Sequence, residues 1–179
     1  MPRLPIPDQE RPHLARFALA FAGVIVGWAC LHDLYLIGIE PRHFTDYHRP
    51  LLPIKNHALL ALQYASVATF GPGLAFGYLA WLACRSGRRT PRRLRTSLAG
   101  FTVLMLCVEI ALVLLGRQAM QRATAGLPPV YPAWVYPDET AGILTSQTIN
   151  VTAYWLAPLC GVVFLCGLWA TRGRPPEEK

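Results

Sequence analysis

Apolar and polar positions alternate along this chain in long blocks rather than with the short period of a soluble amphipathic domain. Four uncharged or nearly uncharged stretches, at about 14–36, 57–84, 96–116 and 148–171, are each long enough to cross a ~30 Å hydrocarbon core as helix. Apart from Arg16, Asp33 and Glu109, charge is confined to the connectors and the two ends of the chain. The pattern predicts an all-α integral membrane protein, a four-helix transmembrane bundle forming one polytopic domain over 1–179.

The first apolar stretch follows a polar, proline-bearing N-terminus and is too long for the apolar core of a signal peptide, so it is expected to remain as a span. It carries Gly23 and Gly27 at a spacing that puts both on one face, where another helix backbone is expected to approach. The second stretch, at 28 residues and 1.5 Å per residue, would reach about 42 Å as a straight helix. Gly71-Pro72-Gly73 is the expected kink, with Gly73 and Gly77 forming a second small-residue pair just beyond it.

Two connectors, 37–56 and 117–147, are long and rich in proline, tyrosine and tryptophan; the third, 85–95, carries six arginines in eleven positions. Counting lysine and arginine gives twelve on the side of the termini and the 85–95 loop, against five on the other. By the positive-inside rule both termini are cytoplasmic and both long loops external, as in a bacterial inner membrane. That distribution accounts for the net charge of +7 without nucleic acid as a partner. The five cysteines all lie within or at the ends of apolar runs and form no Cys-x-x-Cys pair, which fits packed thiols rather than disulfides or zinc ligands.

Candidate chemistry concentrates toward the external side. His32 and Asp33 close the first span, Gln63 and Tyr64 lie near the start of the second, and Glu109 is the one ionisable residue of the third. Asn150, Thr152 and Tyr154 begin the fourth. A lone carboxylate at the depth of Glu109 is expected to face the bundle interior with a partner, for which Asn150, Tyr154 or Gln63 are suited. Together Gln63, Tyr64, Glu109, Asn150 and Tyr154 are expected to line a polar, outward-facing pocket that takes a lipid- or quinone-like molecule, in a protein that serves as a subunit or assembly factor of a membrane complex or as a binder of such a ligand.

The competing expectation is a metal-dependent membrane enzyme. His32, His43, Asp46, His48 and His57 are the residue types that bind zinc, copper or iron, and Glu40-Pro-Arg-His43 has the Glu-x-x-His spacing of di-iron bundles. Haem would require His32 and His57 to face one another from helix ends. In an acid/base reading Glu109 acts with Asp33 or Asp138. The layout of four spans with an external polar site resembles that of the lipoprotein signal peptidases, which implies a catalytic aspartate pair. Spans two to four contain no aspartate, and Asn150-Val-Thr-Ala lacks the one that such a motif carries.

Overall fold

In a computed structural model, residue 6 and residues 8–48, 52–85, 93–137 and 140–171 are described. Most of the arginine-rich loop, Arg49, Asp138 and the C-terminal tail lie outside the described residues. The described chain is helical throughout, without a strand. Four helices are long and apolar enough to cross a membrane: α1 (Arg11–Ile39), α3 (His57–Arg85), α4 (Leu94–Thr124) and α5 (Ala141–Ala170). A one-turn helix, α2 (Arg42–Thr45), sits in the first long connector.

The long helices extend past their apolar windows at several ends, and some of those ends carry local start or stop signals. Pro12 lies in the first turn of α1, where a missing N–H costs nothing. The side chain of Asn56 accepts the Leu59 N–H at 3.1 Å and starts α3. The largest extension is in α4, which continues through Gln118 to Thr124 and shortens the second connector to 125–140. Gly126 ends it at φ 67°. There Leu127 N–H bonds to Arg122 O at 3.0 Å and Gly126 N–H to Ala123 O at 3.1 Å, the paired bonds of a Schellman stop.

The helices pack chiefly as two pairs, α1 on α3 and α4 on α5. Glycine sets the first pairing, on one side only. A Cβ on Gly73 would lie 2.8 Å from Ala22 Cα, and one on Gly77 2.5 Å from Ala18 Cα, so α3 lies against the backbone of α1. Gly23 and Gly27 are exposed and a Cβ on either would meet nothing within 4 Å. The expected helix approach at that pair is therefore not made among the described residues; α1 offers Ala18 and Ala22 to α3 instead.

Two apolar clusters close the bundle. One, toward the N-terminus of α1 and the C-termini of α3 and α5, includes Phe17, Phe21, Trp81, Phe101 and Leu168. Its rings interlock, Phe21 to Phe101 at 5.2 Å and Phe76 to Phe101 at 4.8 Å between centroids. The other, toward the opposite end, joins Leu36, Phe44, Leu60, Leu112 and Ile149. Over it fold the connectors. Arg42 makes a forked bond to Glu40, Nε to Oε1 at 3.1 Å and Nη2 to Oε2 at 3.0 Å, and reaches Thr140 Oγ1 at 2.8 Å. Tyr136 is buried; its hydroxyl accepts the Tyr131 N–H at 3.0 Å and meets Thr148 Oγ1 at 2.9 Å. Tyr131 in turn bonds Thr152 Oγ1 at 2.8 Å. The proline-rich segment is thus tied to α5, while Leu127, Val130 and Trp134 stay exposed on it, Trp134 at 85%.

Candidate functional site: a cavity between the helix pairs

Between the two apolar clusters the pairs diverge and leave a cavity of about 560 Å³. Its walls are largely hydrocarbon: Ile25, Phe76, Met105, Ala157 and Leu165 are among them. At the mouth, between α3 and α5, stand Leu79, Tyr154, Pro158 and Val162. These side chains are exposed on the outer face of the helices, so the cavity opens on the side of the bundle rather than through a connector. Polar side chains gather at the end nearer α2: His32, Asp33, His43, His48, Tyr64 and Asn150.

Of these, His32 and His43 are the most buried, each 4% exposed. His32 Nδ1 lies 3.2 Å from Oε2 and 3.4 Å from Oε1 of Glu109, which brings the third span's only carboxyl group to the first span's histidine. The expected partners Asn150, Tyr154 and Gln63 are not used. Trp28 stacks on the His32 ring at 5.4 Å, one helical turn away. Three atoms here are buried without a hydrogen-bond partner among the described residues: His32 Nε2, Trp28 Nε1 and the Tyr64 hydroxyl.

His43 and His48 come from α2 and the turn after it. Their rings lie 5.0 Å apart, with Phe44 and Tyr64 packed against His48 at 6.0 and 5.4 Å. His48 Nδ1 is 2.6 Å from the His43 carbonyl oxygen; since a carbonyl only accepts, that nitrogen carries the hydrogen. Burial, then the neighbouring His48 and His32, pushes His43 down to about 4, against the pull of Glu40. It stands neutral at physiological pH.

The sequence-derived positions divide accordingly. Tyr64, Asn150 and Tyr154 line the cavity, as do Asp33, His32, His43 and His48. Glu109 reaches it only through His32, and Gln63 turns away to accept the Leu52 N–H at 3.2 Å. Asp46 is exposed and takes a hydrogen bond from Thr45, and His57 is exposed at the start of α3, away from buried His32. The Glu-x-x-His spacing does not assemble either, because Glu40 is held by Arg42 while Gly142 packs against it. Among the described residues no three His, Cys, Asp or Glu side chains converge as a metal-binding group. Trp28 and Phe44, which no motif of the sequence singles out, complete this end of the cavity.

Compared with protein-family models, curated proteins and solved structures, the chain matches none. The functional reading therefore rests on the cavity itself.

Proposed function

We propose that this protein binds a lipophilic small molecule, quinone-like or lipid-like, in the cavity between its helix pairs, and that the molecule enters from the bilayer between α3 and α5. The carrying observation is one space of about 560 Å³ that combines a hydrocarbon wall, a lateral mouth and a polar end with buried unpartnered groups. That volume lies within the ~300–1,000 Å³ of small-molecule sites, and such sites are apolar with a few convergent polar groups. The lone carboxyl group of the third span supports the reading too, since ionisable groups at membrane depth mark ligand or ion sites.

The excess of arginine and lysine at the termini and the 85–95 loop supports both termini on the cytoplasmic side of a bacterial inner membrane. On that orientation the polar end of the cavity faces outward. Pro72 supports a bend in α3 at the cavity wall, because its ring removes one backbone hydrogen bond and crowds the preceding turn.

The test is to purify the protein in lipid nanodiscs, extract it and identify bound molecules by mass spectrometry, alongside Ala68→Trp, which places a large ring at the cavity wall. A lipophilic molecule retained near one per chain by the native protein and lost from the variant is the expected outcome. Extracts that hold only the nanodisc lipids, unchanged by the substitution, would sink the reading.

A further inference from the structure

Resting on the ligand-binding reading above, we infer that the site takes an uncharged lipid whose head presents carbonyl acceptors, in preference to heads that donate hydrogen bonds or carry charge. The argument starts from the proton on His32. The His32–Glu109 pair is enclosed, with side-chain exposures of 5% and 14%, at a depth where net charge is expensive. Two arrangements leave the pair with no net charge: carboxylate with imidazolium, or carboxylic acid with neutral imidazole. In the first both ring nitrogens carry hydrogen. In the second the acid donates to Nδ1, which leaves the hydrogen on Nε2. Either way Nε2 is a donor, and it is the nitrogen that lacks a partner.

Trp28 Nε1 is a donor by constitution, and Tyr64 carries an O–H. Three buried donors on cavity-lining side chains thus meet no acceptor among the described residues. Leaving buried donors unmade is costly, so a ligand that supplies acceptors is selected strongly. An ammonium head brings donors alone and so gives no acceptor to Trp28 Nε1 or His32 Nε2. A phosphate brings acceptors but also charge, and among the described residues no lysine or arginine lines the cavity. A hydroxyl accepts, yet each one brings a donor of its own to be satisfied. A quinone or ester carbonyl brings lone pairs alone.

Five probes separate these cases: a decyl-substituted benzoquinone, the corresponding hydroquinone kept reduced, methyl oleate, dodecylamine and dioleoyl phosphatidate. Each is titrated into the protein in nanodiscs and bound fractions are read by native mass spectrometry. The benzoquinone, methyl oleate or both should bind at least about tenfold more tightly than the other three, a gap of about 1.4 kcal/mol. The two supporting probes also tell a quinone site from a fatty-ester site. Trp28→Phe and Tyr64→Phe keep the rings and remove one donor each, so each should weaken the preferred probe by roughly two- to tenfold. Equal or tighter binding of the hydroquinone, the amine or the phosphatidate overturns the acceptor-head inference while ligand binding stands. So does full affinity in both variants. Failure of all five probes to bind removes the ligand-binding reading along with it.

Discussion

His32 Nδ1 lies 3.2 Å from Glu109 Oε2, a contact between residues 77 positions apart that joins α1 to α4 in the middle of the bundle. It pairs the two ionisable groups that neither helix could hold alone. Removing one partner strands the other in a low-dielectric interior. His32→Leu or Glu109→Leu alone should therefore destabilise the protein by ~3 kcal/mol, whereas the double substitution should recover most of that loss. SDS-unfolding titrations of the four proteins measure the coupling directly; additive losses would show that the contact carries no energy of its own.

His43 makes stability depend on pH. Its folded value of about 4 lies below the ordinary 6.5, so between those values the unfolded chain binds the proton and the folded one does not. Stability is then fully present above pH 6.5 and declines as pH falls toward 4, by roughly 3 kcal/mol across the window. Thermal midpoints in detergent should fall over that range, and His43→Phe should flatten the decline. An unchanged slope in the variant would assign the effect elsewhere.

The small-residue pairs should behave oppositely. Gly77→Ala forces a methyl into the backbone of α1 at Ala18 and should cost about 1–3 kcal/mol. Gly23→Ala and Gly27→Ala meet open space and replace a flexible helical residue, so they should be neutral or stabilise by up to ~1 kcal/mol. The same unfolding titration ranks all three.

Tyr136 holds the second connector to α5 through Tyr131 and Thr148. Tyr136→Phe removes both bonds, should lower stability by about 1–2 kcal/mol, and should raise hydrogen exchange at 127–137 while leaving the helix interiors protected. Uniform protection across the variant would mean the connector is held by packing alone.

The four helices and their apolar character follow from the order of residues alone. A backbone in hydrocarbon must satisfy its own hydrogen bonds, and twenty uncharged residues leave helix as the local solution. That order also placed the polar residues at one end, because depth along a span follows from position in the chain. The reach of α4 to Thr124 was readable in principle from Gly126, the one glycine with positive φ among the described residues, but hydropathy stops at Gly116 and says nothing of a helix that continues as polar residues.

Partner choice was left to the tertiary structure. At the depth of Glu109, His32, Gln63, Asn150 and Tyr154 were all chemically able to answer it, and only the rotation of each helix about its axis selects His32. Hydropathy does not encode that rotation, since lipid and protein interior are equally apolar to it. The same holds for glycine: Gly23 with Gly27 and Gly73 with Gly77 have the same spacing, yet only the second pair faces a backbone. The cavity is the least local feature of all, for it is the space left where two well-packed helix pairs diverge, and no single segment contains it.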